Sequence, residues 1–579
     1  MTTSLPADPT PASAEPPAPP APPPPPPPPM TPLPAAQRIE ALDVVRGFAL
    51  LGIFLMNIEW FSRPFTSFGE GMPRGLTGLN WLASWFIAYF VQGKFWTIFS
   101  LVFGMGFAVM LLRAEQTGRE FKRVYLRRVL ALGVFGAAHF IFLWDGDILF
   151  TYAVSALMLM VVLYGRPKPL LLAIAVAVGL GAALDAEGFF GVAAGLALAG
   201  LLALFMRSEK KPLRVPLFAF LLLLLGLGLS AGAAALWVLP DAPLEPRLPL
   251  TVFGPLTLLM AGLAWRYHQP PAQRALRMGA TLYLFAATAM TLMGAVQYFG
   301  PDPLALPAAS AASAASAPAV AAKALPPASA ASGAEKKKKT REERVAEAKA
   351  EREKRLKEQA EEKALEIKTF TTGSYGDAVD YRARRFLEKA AGDFGASVLF
   401  IGMFLLGAWF VRSGVMERTQ DHLPLFRRLA LWGLPLGIGL GLASSLIAMH
   451  HTPGDRHDGW VMAQGLHMLG NLPACLGYVS LVVLMLHGGP LVSRIRLLAP
   501  MGRMALTNYL TQSLICALYF HGYAFGQWGM PRAWQVVFVL VVFAAQLAFS
   551  HWWMARFRYG PVEWIWRGFT YRELPRLRV

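Results

Sequence analysis

A histidine and two aspartates stand close together in the stretch AAHFIFLWDGDILFTY, which joins two apolar segments. His139 falls near the end of the first segment, and Asp145 and Asp147 flank the turn into the second. This spacing allows either carboxylate to fold back onto the imidazole, which would fix one tautomer and raise its basicity. A base with an orienting carboxylate in a low-dielectric setting suits acyl or proton transfer. The alternative is a hydrogen-bonded helix histidine followed by ordinary Asp-Gly-Asp turn chemistry.

A second polar group lies in the first apolar segment, ALDVVRGFALLGIFLMNIEW. Asp43 and Arg46 are three residues apart and can pair on one helical face. Asn57 follows eleven residues after Arg46 on the same face, with Glu59 just beyond it. The stripe predicts either part of an active site, in which Asn57 donates to a developing oxyanion, or an orienting salt bridge with an interhelical hydrogen bond.

Several cations stand next to apolar segments and could hold an anion. Arg127, Arg128 and Arg503 share with Arg46 a guanidinium group, which suits phosphate. Lys94 follows a short aromatic stretch and precedes the second long apolar segment. Its side chain could snorkel to the membrane interface, or its ammonium could bind an anionic substrate in a re-entrant turn.

These residues need helices within a membrane to position them. The chain has 579 residues, of which 55% are apolar and only 16% are charged. A soluble protein has a charged fraction nearer a quarter, so the composition excludes one. About fourteen runs are long enough to cross a bilayer as helices, and twelve is the alternative count because two runs are short or rich in glycine. The runs fall near 42–60, 95–112, 124–143, 148–164, 168–185, 188–206, 215–239, 249–265, 278–298, 394–412, 429–449, 461–486, 504–522 and 533–554.

Lysines and arginines concentrate on alternate sides of these runs. The formal net charge of +18 is spread over short loops, which indicates topology signalling and not nucleic-acid binding. The bias predicts an even number of crossings with both termini in the cytoplasm. Residues 81–92, WLASWFIAYFVQ, are too short to span and are predicted to form an interfacial helix.

Two segments differ in composition from the membrane part. Residues 1–37 are rich in proline and alanine and are predicted to be a disordered cytoplasmic tail. Residues 300–372 are predicted to be a linker, with a low-complexity start and a charged, solvated helix stabilised by i,i+4 pairs. They separate an N-terminal membrane domain, 38–299, from a C-terminal one, 373–579. A docking site for an anionic partner is the alternative for the charged helix.

Metal-ligating residue types do not form a convincing metal site. The loop MHHTPGDRHDGW collects three histidines and two aspartates but has no helix-spaced histidine pair. The two cysteines, Cys475 and Cys516, are isolated in apolar segments and are predicted to be buried thiols. No metal is predicted.

Several motifs in order resemble the YeiB-like membrane proteins that carry domain of unknown function 418. The motifs are RIEALDVVRGFALLGIFLMNI, HFIFLWDGDILFTYA, GSYGDAVDYRARRF, GMFLLGAWFVRSGVM, LGYVSLVVLML, LAPMGRMALTNYLTQSLI and GPVEWIWRGFTY. The resemblance covers about two thirds of the chain and is densest from about residue 373 to 571. It implies an all-α polytopic helical bundle in a bacterial cytoplasmic membrane.

The family is distantly similar to transmembrane acyltransferases, and this implies a role for several residues. In the polysaccharide-modifying branch, an arginine in the first helix is followed eleven positions later by a histidine. Arg46 fits that pattern, but Asn57 occupies the histidine position, so His139 is the candidate base here. In GRMALTNYLTQS, the spacing of Thr507, Asn508 and Gln512 suits a polar channel or helix–helix hydrogen bonding.

Three functions follow from these observations. The first is an acyltransferase that moves an acyl group from cytosolic acyl-CoA, held by the arginines, to an extracytoplasmic small-molecule or glycan acceptor. The second is a proton-coupled transporter, because intramembrane Arg, Asp and His residues also suit an ion path. The third is a non-catalytic membrane scaffold with unknown protein partners. The position of His139 relative to a cavity separates the first two.

Overall fold

The structure is a computed structural model, and it describes residues 38–239, 247–300, 341–449, 451 and 458–579. The proline-rich tail and the low-complexity start of the linker lie outside these residues. Within the described ranges the chain is helical, and the only β-type pairing is an isolated bridge between Phe557 and Arg578. The predicted all-α fold is therefore confirmed.

The helices follow one another with short connections. Before the linker they are α1 (Glu40–Asn57), α2 (Gly78–Phe86), α3 (Lys94–Thr117), α4 (Phe121–Phe142), α5 (Leu149–Tyr164), α6 (Pro167–Leu184), α7 (Glu187–Arg207), α8 (Leu217–Val238), α9 (Arg247–Arg266) and α10 (Arg274–Phe299). From the linker onward they are α11 (Arg341–Thr372), α12 (Tyr375–Arg412), α13 (Leu423–Ala448), α14 (Trp460–Leu486), α15 (Ala499–Arg503), α16 (Ala505–Phe520), α17 (Arg532–Met554) and α18 (Pro561–Tyr571).

Each of the fourteen predicted spans coincides with a helix. Twelve helical segments of the described residues are long and apolar enough to cross a membrane, and one of them joins α2 and α3. The other two predicted spans are α5 and α16, which have 16 residues each. At 1.5 Å per residue they reach about 24 Å, less than the bilayer core of about 30 Å. The chain is thus a multi-pass membrane protein.

Close helix contacts in the centre depend on glycine. A Cβ atom added at Gly104 of α3 would lie 2.2 Å from the carbonyl oxygen of Phe404 in α12. A Cβ atom at Gly407 of α12 would lie 2.0 Å from the carbonyl oxygen of Leu101 in α3. Both helices therefore contact each other backbone to backbone, which is a common means of helix association in membranes.

The charged linker helix is partly solvated and partly docked. Residues 351–362 of α11 are exposed, as predicted for a solvated helix. Its C-terminal end differs from that prediction, because Glu366 and Phe370 are only 2% and 3% exposed. Glu366 accepts hydrogen bonds from the backbone N–H groups of Phe65 and Thr66, at 2.5 and 3.0 Å. The pattern of alternating charges gave no signal for this contact with the loop after α1.

Candidate functional site

The predicted histidine–aspartate pair forms at the turn between α4 and α5. His139 lies in the last turn of α4, and its Nδ1 is 2.9 Å from Oδ1 of Asp147. Asp147 also accepts hydrogen bonds from the backbone N–H groups of Leu149 and Phe150, at 3.1 and 2.7 Å. These two N–H groups begin α5, so the same carboxylate caps a helix and orients the imidazole.

The hydrogen bonds of Asp147 determine which nitrogen of His139 carries a proton. Asp147 already accepts from two N–H groups, and the tautomer that fits this arrangement has Nδ1–H donating to the same carboxylate. In a neutral imidazole the other nitrogen, Nε2, then carries the free lone pair. Both side chains are 0% exposed, and Nε2 has no hydrogen-bond partner among the described residues. The arrangement leaves a buried base with an unused acceptor.

A cavity of about 200 Å³ lies next to this pair. Tyr509 of α16 lines the cavity and packs against His139, with 5.1 Å between the ring centroids. Ile148 and Leu149, which follow Asp147 directly, line the same cavity. His139 itself is behind Tyr509 and does not contribute to the wall.

The other end of the cavity is cationic. Arg46, Arg128, Arg503 and Arg567 all line it. Arg46 forms the predicted ion pair with Asp43 at 3.2 Å and keeps 30% of its side chain exposed, so this end is open to solvent. The cavity thus joins a partly exposed group of guanidiniums to the surroundings of a buried histidine.

Helix α18 positions Arg128 and supplies Arg567. The guanidinium carbon of Arg128 lies 3.7 Å from the ring centroid of Trp566, a cation–π contact, and Trp566 donates from Nε1 to the carbonyl oxygen of Arg128 at 2.9 Å. Arg567 follows in the next position and was not among the predicted binding residues. The motif GPVEWIWR could have indicated this role for Arg567. Its tryptophans are typical of a membrane interface, and an arginine beside them can also face the interior of the protein.

Glu563 of α18 contacts the start of α16. Its carboxylate accepts hydrogen bonds from the backbone N–H groups of Leu506 and Thr507, at 2.7 and 3.0 Å. The Thr507 hydroxyl donates to the same carboxylate at 2.5 Å. Burial raises the pKa of Glu563, and these hydrogen bonds act against the rise. Glu563 therefore caps α16 and holds the helix that carries Tyr509.

The amides of α16 form hydrogen bonds between helices. Asn508 donates from Nδ2 to the hydroxyl of Ser550 in α17 at 3.1 Å and to the carbonyl oxygen of Met501 at 3.2 Å. Gln512 donates to Gln546 of α17 at 2.9 Å. Of the two interpretations made from the sequence, helix–helix hydrogen bonding is the one that the geometry matches.

Asp145 does not join Asp147 at the histidine. Its Oδ2 lies 3.8 Å from Nη1 of Arg385, on the side of the turn that meets α12. Burial, together with the nearby charge of Glu366 from α11, raises the pKa of Asp145 to about 7, although Arg382 and Arg385 oppose this. The two aspartates of the turn therefore have different partners.

Three other predicted residues lie away from this cavity. Asn57 is the last residue of α1, and Arg127 is half-buried on α4 with its Nε 3.3 Å from the carbonyl oxygen of Arg123. Lys94 is buried at the start of α3 beside a different cavity. None of the three lines the arginine cavity.

The fold and the buried polar groups define a class, that of all-helical, multi-pass membrane proteins with ionisable residues in the bundle interior. Residues 410–573 match the family model described as protein of unknown function (DUF418). This C-terminal part of the chain is therefore similar to the proteins that carry this region.

The relatives cover the chain to different extents. Uncharacterized protein YxaH of Bacillus subtilis (strain 168) is 25% identical over 543 residues, which are 92% of this chain and 94% of YxaH. Uncharacterized protein YeiB of Escherichia coli (strain K12) is 35% identical over 176 residues, 30% of this chain and 44% of YeiB. An uncharacterized 39.9 kDa protein in the amylase 3' region of Bacillus acidopullulyticus is 32% identical over 33% of this chain and 54% of its own length. No solved structure matches the chain, and the names of these relatives state no activity.

Proposed function

We propose that the protein is a membrane acyltransferase that uses acyl-CoA as the acyl donor and modifies a hydroxyl or amine of a small molecule or glycan. The observation that carries the proposal is the free Nε2 of His139, held by Asp147 and buried beside a cavity whose far end is lined by arginines. Nε2 has no hydrogen-bond partner among the described residues, and because His139 meets the cavity only through Tyr509, the proposed reaction requires this tyrosine to move before the acceptor reaches the lone pair.

The arginine end of the cavity suits the phosphates of the donor. Guanidiniums bind phosphate oxygens bidentately, and Arg46, Arg128, Arg503 and Arg567 converge there. A cavity of about 200 Å³ is smaller than typical sites for whole ligands, so it would hold the thioester arm and leave the nucleotide outside. The lysine and arginine bias of the sequence supports a cytoplasmic position for this end, where acyl-CoA occurs.

The chemistry needs one base at the thioester. Nε2 of His139 takes the proton of the acceptor hydroxyl or amine as the acceptor atom bonds to the thioester carbonyl carbon. The carbon–sulfur bond then breaks, and the imidazolium returns the proton to the departing thiolate. Asp147 stabilises the imidazolium between the two steps without taking up a proton itself.

Transfer can be tested on the purified full chain with labelled acetyl-CoA. We expect binding and slow hydrolysis or transfer of the acetyl group, and we expect His139→Ala to lower the rate by about 10² to 10⁴ while leaving donor binding in place. If the protein does not bind acetyl-CoA, or if the variant reacts at the wild-type rate, the proposal is wrong.

Proton-coupled transport is a second candidate, because a different observation favours it. Lys94 and His467 form a buried pair of ionisable groups near another cavity, with Nζ 3.5 Å from both ring nitrogens. Buried ionisable groups in membrane helices often mark ion paths. Uptake of labelled solutes into proteoliposomes, driven by a pH gradient and absent in Lys94→Met, would favour this candidate.

A further inference from the structure

The helix that enters the bundle before α3 is interrupted. After α2 the backbone forms a π-helical turn, Ile87–Val91, and Gly93 then adopts a positive φ of 82° before α3 begins at Lys94. A Cβ atom at Gly93 would lie 2.2 Å from Nδ2 of Asn471, so only glycine fits there. The interruption places the N-terminus of α3, with its positive dipole end, inside the protein.

The amine of Lys94 lies at the same point. The residue is 2% exposed, and its Nζ donates a hydrogen bond to the carbonyl oxygen of Tyr89 at 2.6 Å. Nζ also lies 3.5 Å from both ring nitrogens of His467, whose Nε2 is 3.1 Å from the carbonyl oxygen of Gln92. None of the described carboxylates forms an ion pair with Lys94. A buried ammonium without a counter-charge is costly, because a charge is stable in a low dielectric only when it is paired.

A cavity of about 240 Å³ lies next to this amine, and Lys94 itself is not among the residues that line it. Tyr89 and His467, which contact the ammonium, both line the cavity, and Gly93 contributes backbone to its wall. Trp60, Trp96 and Trp460 give the cavity aromatic walls. It shares no lining residue with the arginine cavity beside His139.

The acidic residue in the wall of this cavity is already paired. Glu59 lies 2.9 Å from Arg63 and 3.2 Å from Arg532, which stands at the start of α17. Its negative charge is therefore balanced locally and does not neutralise Lys94. Among the described residues, no carboxylate therefore balances an ammonium at Lys94, and an anion bound in the cavity would do so.

We propose that this cavity binds a small organic carboxylate, with the carboxylate toward Lys94 and the N-terminus of α3, and with its apolar body against the tryptophans. Discontinuous membrane helices place half-helix N-termini against anionic groups in the same way. The aromatic walls favour a flat, apolar body over a strongly hydrated one. The site is separate from the proposed transfer reaction and does not depend on it.

Thermal unfolding of the purified full chain can test the site with acetate, benzoate and the neutral benzamide as probes, at constant ionic strength. We expect benzoate at about ten times its dissociation constant to raise Tm by roughly 1–3 °C. Acetate should act only at higher concentration, and benzamide should have no effect. This comparison uses the wild-type protein alone and so needs no variant to fold.

Three substitutions separate this site from other effects. Lys94→Met should lower the benzoate affinity at least tenfold, and it should raise Tm without ligand because an unpaired buried charge is removed. Lys168→Met, at an exposed lysine of α6, is the matched control and should bind benzoate as the wild type does. His139→Ala should also retain binding, which distinguishes failure of this site from failure of the transfer reaction. Equal stabilisation by benzoate and benzamide, no effect of any carboxylate, or unchanged binding in Lys94→Met would overturn the proposal.

Discussion

The central helices and the peripheral helices of this protein differ in how much of their apolar surface other parts of the protein cover. In the apolar windows of α1, α3, α12 and α14, between 61% and 72% of the residues are buried inside the protein. In α6, α7, α8 and α9 the share is only 11% to 33%, so these helices present most of their surface to lipid. The two groups therefore differ in how much of each helix is shielded from the bilayer.

Charged residues follow the same division. In α6, α7 and α9 the charged residues stand at the helix ends, and α8 has none. Buried ionisable residues instead occur in α1 (Asp43), at the start of α3 (Lys94), in the last turn of α4 (His139) and within α12 (Asp393). A charge in lipid is expensive, so polar groups that act on a ligand have to lie where protein surrounds them. The comparison indicates that the chemistry belongs to the centre and that α6 to α9 form an added layer.

The largest difference between the two regions should appear in catalysis. Asp147→Asn removes the acceptor that fixes the His139 tautomer, and we expect the rate of acetyl transfer to fall by about 10² or more. Ser230→Ala changes a buried hydroxyl of the peripheral helix α8 and should leave the rate unchanged. Steady-state rates with labelled acetyl-CoA measure both. A comparable loss in the two variants would remove the distinction.

Packing should show the next largest difference. Gly407→Ala places a methyl group where α12 touches the backbone of α3, and such overpacking costs about 1–3 kcal/mol. Gly228→Ala in α8 meets no atom within 4 Å and should be neutral or slightly stabilising. Thermal unfolding of the two variants in one detergent measures the effect. A similar Tm for both would mean that the centre is no more tightly packed than the periphery.

Donor binding should depend on an arginine that lines the cavity and not on one that lies outside it. Arg503→Gln removes a guanidinium from the cavity, and we expect the KM for acetyl-CoA to rise about tenfold with little change in kcat. Arg127→Gln, on the outer side of α4, should change KM less than twofold. Kinetics over a range of donor concentrations provide the measurement. An equal rise in KM for both would indicate general charge attraction and not a defined site.

The smallest effect concerns the pH dependence at the loop end of the central bundle. The pKa of Asp145 is about 7 in the folded protein, above its ordinary value of 3.8, so the folded state binds the proton more tightly than the unfolded state. The stabilisation is complete below pH 4 and is lost as the pH rises to about 7. Tm should therefore fall by roughly 1–3 °C between pH 5 and 7.5, and Asp145→Asn should flatten this slope. An unchanged slope in that variant would assign the titration to another group.

Much of the fold could be predicted from the sequence because its signals are local. Apolar runs predicted fourteen helices correctly, and twelve of them belong to segments long enough to cross a membrane. The eight-residue spacing of His139 and Asp147 was enough to suggest their pairing. Asp145 had an equally plausible spacing. Its actual neighbour, Arg385, comes from a helix 240 residues later, so local spacing could not choose between the two aspartates.

The remaining features depend on partners that are distant in the sequence. Glu563 caps a helix that begins 58 residues earlier, and Lys94 meets His467 across 373 residues. Contacts over such long separations leave no local pattern in a single sequence, so neither pairing could be predicted. The cavities arise in the same way, from the faces that helices present to each other after packing.

The docked end of α11 also has a consequence for how the protein is held together. Glu366 fills both hydrogen-bonding positions offered by the backbone of Phe65 and Thr66, while Phe370 lies 4.8 Å from the ring of His521 in the loop after α16. The C-terminal end of α11 thus contacts both the loop after α1 and the loop after α16. If the chain were divided just before α11, we expect the two polypeptides to retain these contacts. The early and late membrane helices would then stay associated without the covalent link.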